Sequence, residues 1–205
     1  MIRAILFDFD GVLTLDETGS QSICNYICQK TGIDYKLFKN EYRKYNADLL
    51  TGRLKHEDVW DKICAGISYQ IDMRILHDSF INTPINKKVL DSILQLKEKN
   101  YKIGMVTDNK ADRIKSLIDF HHWDTVFDGI AVSANIGSGK EHRKIFNWIF
   151  ETLTVLPSEC IFIDNKRENL ITPQNMGVTT IFFDHNENNI TKLTNELIAA
   201  GISIS

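Results

Sequence analysis

The sequence predicts an α/β fold, a doubly wound parallel sheet into which an all-α unit is inserted. Three observations lead to this fold class. Five short apolar runs have the composition of buried strands, and amphipathic helical patterns separate the later runs. Between the first two runs lies a long stretch in which the apolar patterns have helical spacing and no convincing strand occurs.

The five apolar runs are rich in Ile, Val and Phe and mostly lack polar alternation, as expected for strands buried on both faces. They cover residues 2–7, 103–106, 129–132, 160–163 and 180–183. Helical patterns follow or precede each later run, so the connections are crossovers. Strands joined by helical crossovers lie parallel in one sheet, and the helices cover both of its faces.

The stretch between Thr14 and Thr83 contains helix-like patterns such as Val59, Trp60 and Ile63. Its two hinges are expected at residues 15–20 and at 83–84, because a residue before proline disfavours helix. The chain is therefore divided into a core domain of residues 1–14 and 84–205 and an inserted helical cap domain of residues 15–83. An insertion at this point lies over the carboxyl edge of the sheet, where open α/β sheets bind ligands.

Composition excludes several classes of protein. The 205 residues carry a formal net charge of −3, with 43% hydrophobic and 25% charged residues. No basic stripe predicts nucleic-acid binding, and no apolar run approaches the length of a membrane span. Because Met1 leads directly into a strand without a signal-like segment, we expect a cytoplasmic protein with reduced thiols. The sequence does not predict an oligomeric state.

Two of the four cysteines, Cys24 and Cys28, share one face of a predicted helix. This spacing suits a metal ion only if further ligands lie nearby. No second close pair of Cys or His completes such a site, so we expect these side chains to fill a helical core.

The most informative motif is the pair of acids Asp8 and Asp10, which directly follows the first apolar run and precedes Gly11. Residues two apart on a strand point to the same side, and glycine allows the chain to turn beyond them. One carboxylate can then attack a reacting centre while the other moves a proton, and two close acids attract a cation. The alternative is a pair of strand-end acids that cap the following loop.

Polar residues also follow the other predicted strands. They are Thr107, Asp108 and Asn109 after the second, Lys140 after the third, and Asp164 and Asn165 after the fourth. Acids, a hydroxyl, backbone amides and an ammonium at one sheet edge suit a phosphoryl group and a divalent cation. Singly, Thr107 or Asp164 has another explanation as a helix cap, and Lys140 as a solvated lysine.

The ordered set of motifs resembles the haloacid dehalogenase-like (HAD) hydrolase superfamily. The segments that carry the resemblance are Phe7-Asp8-Phe9-Asp10-Gly11-Val12, Val106-Thr107-Asp108-Asn109, Lys140, and Phe162-Ile163-Asp164-Asn165. The resemblance covers residues 1–14 and 83 onward, and it implies strand order 5-4-1-2-3. The helical insertion is similar in placement to the α-helical cap of that superfamily.

The resemblance implies a Mg²⁺-dependent phosphoester hydrolase. Asp8 would attack phosphorus and become an aspartyl phosphate, while Asp10 would protonate the leaving oxygen and then activate water. Thr107 and the amide of Asp108, with Asn109, would bind the phosphate, and Lys140 would offset its charge. Mg²⁺ would be held by Asp8, the Asp10 carbonyl and the fourth motif, Asp164 and Asn165, since it prefers hard oxygen ligands.

Two departures from the family pattern qualify this picture. Relatives usually carry an acid at the position of Asn165, and a neutral ligand there predicts weaker metal binding. The family lysine is often followed by proline, where this chain has Glu141. Dehalogenases lack an acid at the position of Asp10, so its presence favours phosphate substrates.

Substrate choice is expected to lie in the insertion. Arg53, Lys55 and His56 are placed to bind a sugar phosphate or carboxylate, although a simple helix start is the favoured explanation. The predicted function is hydrolysis of a small phosphorylated metabolite, such as a sugar phosphate. The alternatives are a phosphomutase of the β-phosphoglucomutase type and a phosphate-binding protein that has lost turnover, as Asn165 suggests.

Overall fold

A computed structural model describes residues 1–204 and contains a five-stranded sheet of order β3-β2-β1-β4-β5, with all pairs parallel. The strands are β1 Ala4–Phe7, β2 Lys102–Thr107, β3 Gly129–Val132, β4 Cys160–Asp164 and β5 Thr179–Phe182. The predicted fold class and strand order are confirmed. The first strand begins two residues later than predicted, because its pairing with both neighbours starts at Ala4.

Six helices of the core domain connect and cover the strands. They are α6 Lys87–Glu98, α7 Ala111–His121, α8 Ser133–Ile136, α9 Arg143–Leu153, α10 Arg167–Gln174 and α11 Ile190–Ala199. Successive residues of β1 point to opposite faces, so Ile5 and Phe7 join one apolar cluster and Leu6 joins the other. Both faces of the sheet are therefore packed, as the continuous apolar runs predict.

The stretch between β1 and β2 opens with five helices and has an apolar cluster of its own, which includes Phe38, Trp60 and Phe80. The helices are α1 Gly19–Thr31, α2 Tyr35–Arg43, α3 Asn46–Leu50, α4 His56–Gly66 and α5 Met73–Ile81. We call these helices and their connections the cap. A separate cluster of buried side chains supports the predicted domain division, which we retain as a proposal.

The two connections of the cap run side by side. Thr14 and Ile85 form an antiparallel bridge, and Leu15 N donates to the Pro84 carbonyl at 2.9 Å. The predicted first hinge at residues 15–20 is too long, because α1 already begins at Gly19, where the Thr18 side chain caps it. Both connections leave the core beside the end of β1, so the cap lies over the carboxyl edge of the sheet.

The cap touches the core through polar contacts between named side chains. His56 Nδ1 lies 2.6 Å from Asp112 Oδ2, and Ser133 Oγ donates to the Leu50 carbonyl at 2.6 Å. Both contacts join a cap segment to the beginning of a core helix, so the structure has the cap docked on the core. In residues 1–204, none of the helices combines the length and apolar composition that crossing a membrane requires.

Candidate active site

The turn that follows β1 positions Asp8. The Asp8 amide donates to the Ile163 carbonyl at 2.8 Å, which continues the pairing with β4 for one residue. Its Oδ1 accepts from the Phe9 amide at 2.7 Å, so the side chain is fixed against its own backbone. Gly11 has a φ of +82°, and a Cβ there would lie 2.1 Å from the Asn165 carboxamide. Glycine is thus required for Asn165 to approach this turn.

Lys140 joins two of the acids. Its ammonium Nζ lies 2.8 Å from Asp8 Oδ1 and 2.6 Å from Asp164 Oδ2, and all three residues are buried. Asp164 also accepts from the Lys166 amide at 2.7 Å and from Asn169 Nδ2 at 3.1 Å. The oxygens of Asp164 are therefore occupied by protein donors, and the prediction that Asp164 binds a metal stays a prediction.

The close approach of two carboxylates and one ammonium shifts the pKa values of Asp8 and Lys140. Burial, followed by the charge of Asp164, raises the pKa of Asp8 to about 8 despite the opposing effect of Lys140. Burial alone would lower the pKa of Lys140, but the charges of Asp164 and Asp8 outweigh it and raise that pKa overall. With both acids ionised the buried cluster carries a net negative charge, which a divalent cation would offset, so a bound cation would favour the ionised form of Asp8.

Three oxygen-bearing groups are close enough to hold such a cation. One terminal atom of the Asn165 carboxamide lies 3.2 Å from the Asp10 carbonyl oxygen and 3.3 Å from Asp8 Oδ2. In the orientation that satisfies its hydrogen bonds, this atom is nitrogen and donates to both oxygens. A half-turn of the carboxamide would present its oxygen to a cation instead. A carboxylate, a carbonyl and an amide oxygen are ligands that Mg²⁺ accepts, so these residues fit the ion.

Of these three groups only the Asp8 carboxylate is ionisable, so they differ from a metal site built of several charged ligands. Within residues 1–204, no group of three or more His, Cys, Asp or Glu side chains is arranged to hold a metal ion. Asn165 would supply a neutral oxygen where an acid is expected from the family pattern, and Asp10 would contribute its backbone carbonyl. The four cysteines are free, and Cys24 and Cys64 are buried within the apolar cluster of the cap.

The side chain of Asp10 lies in a different network from that of Asp8. Arg113, on α7, binds it with a two-point fork, Nη1 to Oδ2 and Nη2 to Oδ1, both at 2.9 Å. Asn109 Nδ2 also donates to Asp10 Oδ2 at 2.7 Å. Asn109 itself is fully buried and accepts from Arg113 with its own oxygen. The residue predicted to bind substrate therefore holds Asp10 and Arg113 instead.

The remaining predicted residues are divided between the site and its surroundings. Thr107 and Asp108 border the same small cavity as Asp8 and Lys140, and Asp108 Oδ1 accepts from the Lys140 amide at 3.0 Å. Arg53 is not brought to this cavity. Its Nε donates to Asp48 at 2.7 Å, and two thirds of its side chain is exposed.

The cavity at the acids has a volume of about 270 Å³ and is closed on the cap side by residues of the α1 and α3 regions, among them Ser20 and Asn46. A second cavity of about 810 Å³ lies between cap and core, and Lys110 borders both. Lys110 Nζ donates to Ser20 Oγ at 2.9 Å. Burial lowers the pKa of Lys110 to about 8, and the neighbouring Arg113 charge adds to this effect.

Sequence reasoning missed Arg113 and Lys110. Arg113 stands four residues after Asn109 and directly before Ile114, on the helix that follows the second motif. The spacing allows contact on one helix face, but it does not reveal that the guanidinium is fully buried. Lys110 precedes the first residue of α7, where a lysine is ordinarily solvated.

Comparison with known proteins shows the family to which the chain belongs. The family model described as haloacid dehalogenase-like hydrolase matches residues 5–183. The chain belongs to this family. Curated proteins similar to this chain include a Bacillus mycoides protein named pyrophosphatase PpaX, 24% identical over 186 residues, which span 88% of this chain and 82% of that relative. The chain is therefore a hydrolytic enzyme of the HAD-like family.

Solved structures share the fold of this HAD-like hydrolase. A predicted HAD-like family hydrolase from Porphyromonas gingivalis superposes with a TM-score of 0.71 at 23% identity, over 96% of this chain and 98% of that one. A HAD family enzyme from Bacteroides thetaiotaomicron, in complex with magnesium and inorganic phosphate, gives a TM-score of 0.69 at 18% identity, over 89% and 94%. At these identities the likeness concerns the fold alone.

Proposed function

We propose that this HAD-like hydrolase is a Mg²⁺-dependent phosphatase that acts on a small phosphorylated metabolite through an aspartyl phosphate on Asp8. The observation that carries the proposal is the placement of Asp8. It lies in a small cavity with Lys140 on one carboxylate oxygen and with the Asn165 carboxamide and the Asp10 carbonyl near the other. A nucleophile, a fixed ammonium and a cation site at one point suit phosphoryl transfer.

In the first half-reaction an Asp8 oxygen forms a bond to phosphorus while the bond to the leaving oxygen breaks. The electron pair of the broken bond goes to the leaving oxygen. Lys140 and Thr107 border the cavity and would contact the phosphoryl oxygens, where negative charge builds up. In the second half-reaction water attacks phosphorus, its proton passes to Asp10, and the electron pair of the Asp8–phosphorus bond returns to the carboxylate.

Asp8, the Asp10 carbonyl and Asn165 are the residues that would hold Mg²⁺. When bound, the ion would supply charge neutralisation for an anionic nucleophile and an anionic substrate. The named magnesium and phosphate complex of the Bacteroides thetaiotaomicron enzyme is consistent with this expectation for the family. Asn165 contributes no charge, so the affinity is expected to be lower than that of a site with another acid.

The two cavities divide the substrate between them. The cavity of about 270 Å³ at the acids suits a phosphoryl group, and the cavity of about 810 Å³ suits the leaving group. The larger one combines apolar side chains such as Leu54 and Met73 with the ammonium of Lys55. A sugar phosphate remains the first expectation. Pyrophosphate belongs in the test as well, because curated relatives are named pyrophosphatases.

A phosphate-release screen tests the proposal. The intact protein is assayed with Mg²⁺ against sugar phosphates, nucleotides and pyrophosphate, with and without a chelator. Asp8→Asn should abolish release, whereas Asp91→Asn, which changes an exposed acid on α6, should leave release as in the wild type. Phosphate release that persists in Asp8→Asn would overturn the assignment of the nucleophile. Phosphate release that a chelator does not reduce would overturn the assignment of the metal.

Measurements on the same proteins distinguish the two alternative functions from a phosphatase. A phosphomutase would transfer labelled phosphate to a second hydroxyl of a sugar and release little of it. A binding protein without turnover would bind inorganic phosphate or a sugar phosphate in calorimetry, release none and respond little to Mg²⁺. Either result would replace the phosphatase proposal.

A further inference from the structure

The ammonium of Lys110 is buried at the junction of cap and core without an acid beside it. Three lysine or arginine residues of 1–204 are buried, namely Lys110, Arg113 and Lys140. Arg113 has Asp10 at 2.9 Å, and Lys140 has two carboxylates within 2.8 Å. In the part of the chain that the structure describes, no carboxylate lies within 4.0 Å of Lys110 Nζ. Lys110 therefore differs from the other two in lacking a counter-charge.

The partners that Lys110 does have are neutral. Its Nζ donates to Ser20 Oγ at 2.9 Å, and Ser20 Oγ donates in turn to Asn46 Oδ1 at 2.9 Å. The ammonium also lies 5.7 Å from the centre of the Tyr42 ring, whose face attracts a cation. A hydroxyl and a ring face stabilise a buried ammonium less than a carboxylate does, so its charge is only partly compensated.

Lys110 keeps this charge at neutral pH. Burial, together with the charge of Arg113, lowers the pKa of Lys110 to about 8, against the opposing effect of the more distant acids Asp10 and Asp112. At pH 7 most of the side chain therefore remains protonated. Burial of a charge that the fold does not pair is costly, and such groups are concentrated at functional sites.

Lys110 also lies where the leaving group of a substrate is expected. It borders both the cavity of about 270 Å³ at the acids and the cavity of about 810 Å³ between cap and core. The other lysines that border the larger cavity have acids of their own, Lys55 with Glu57 at 3.4 Å and Lys115 with Asp119 at 2.7 Å. Lys110 is thus a buried lysine whose charge is available to an anion that enters with the substrate.

We propose that Lys110 is a specificity-determining residue that binds a second anionic group, one carried by the leaving group of the substrate. The substrate class is then a phosphorylated metabolite whose leaving group bears a carboxylate or a further phosphate, rather than a neutral sugar or alcohol. Both anions present the oxygens to which an ammonium donates strong hydrogen bonds. This inference rests on the proposed function, and it narrows the substrate class of the same site.

The test compares substrates that differ in the charge of the leaving group. Phosphoglycolate is paired with its neutral carboxamide, and propanediol bisphosphate with propanediol monophosphate, so the two pairs distinguish a carboxylate from a phosphate. With Mg²⁺ and wild-type protein, we expect kcat/KM to be about 10- to 100-fold higher for the charged member of at least one pair, the effect of a hydrogen bond between charged groups. Equal kcat/KM within both pairs would overturn the inference.

A variant of Lys110 tests whether this residue causes the preference. Lys110→Met removes the ammonium and keeps an unbranched side chain, so the ratio of kcat/KM between charged and neutral members should fall towards one. Lys115→Met, which removes an exposed lysine from α7, should keep the wild-type ratio. A wild-type ratio in Lys110→Met would contradict the role given to Lys110.

Urea unfolding of the same variant separates recognition from a structural role. Because Lys110 is a buried cation without a counter-charge, Lys110→Met should be at least as stable as the wild type. A marked loss of stability would mean that Lys110 supports the fold instead, and it would overturn the proposal.

The outcomes are separate from those of the proposed function. Phosphate release that requires Asp8 but does not depend on the charge of the leaving group would refute only the role given to Lys110. Absence of release from every substrate of the screen would refute the phosphatase. In that case calorimetry with the same pairs still tests Lys110, and equal affinities within each pair would overturn its role.

Discussion

Replacing Gly52 by alanine tests how the cap is seated on the core. Gly52 lies in the loop between α3 and α4 with a φ of +72°, and an added Cβ would lie 2.0 Å from the Ala134 carbonyl oxygen. Ordinary contacts of this kind begin near 3.4 Å. Because both contacting atoms belong to backbone, neither can move aside as a side chain can. The cap loop and the start of α8 must therefore separate by about 1 Å or more, given the close packing of protein interiors.

A matched variant isolates this contact from backbone strain. Gly32, at the end of α1, has a φ of +74° and no atom within 4 Å of an added Cβ. Gly32→Ala should lose about 1–2 kcal/mol from the left-handed conformation alone. Gly52→Ala should lose that amount and also about 1 kcal/mol from the hydrogen bond between Ser133 Oγ and the Leu50 carbonyl, which the separation breaks.

The assay is urea unfolding of both variants together with steady-state kinetics on the best substrate of the screen. We expect Gly52→Ala to lower kcat/KM by roughly tenfold or more, since a misplaced cap admits water and misplaces the leaving group. Gly32→Ala should keep the wild-type kcat/KM while losing stability. Equal losses of stability in the two variants, with wild-type kinetics in both, would refute the idea that this loop seats the cap.

Three further predictions concern charge. Asn165→Asp should tighten Mg²⁺ binding by roughly tenfold in calorimetry because it adds an anionic ligand, and an unchanged affinity would remove Asn165 from the metal site. Since the pKa of Lys110 is lowered to about 8, its positive charge is present below pH 8 and lost above it. KM for an anionic substrate should therefore rise above pH 8. This rise should be absent in Lys110→Met. The raised pKa of Asp8 means that protonated Asp8 favours the fold, so chelated wild type should lose stability as the pH rises from roughly 4 to 8. Asp8→Asn cannot ionise, so its melting temperature should show no such decline, and parallel pH curves for the two proteins would contradict the shift.

The sheet could be predicted because its determinants are local. Each strand is an apolar run bounded by polar residues, and the crossover helices fix parallel order. Strand ends were less certain, since pairing with neighbours decides where β1 begins. Apolar residues keep helical spacing from Leu37 to Leu49, yet α2 ends at Arg43 and α3 begins at Asn46. Apolar spacing continues across that turn and hides it.

The site could be predicted only in part, for a related reason. Residues that end strands, such as Asp8, Thr107 and Lys140, converge because parallel strands finish at one edge of the sheet. Arg53 and Asn109 were expected at the substrate from their chemistry and position in the chain. The structure instead gives Arg53 an exposed acid as partner and surrounds Asn109 with buried donors and acceptors. Such pairings depend on side-chain directions between distant segments, which periodicity does not encode.

The bridge between Thr14 and Ile85 has a consequence for engineering of the enzyme. The chain departs from the sheet and returns to it at two hydrogen-bonded neighbours, so a short tight turn spans the gap if everything between them is deleted or exchanged. A cap from another protein, joined at these two residues, would lie over the same polar residues of the core. We therefore expect such an exchange to change which substrates the enzyme accepts, while Asp8, Thr107 and Lys140 keep their places at the sheet edge.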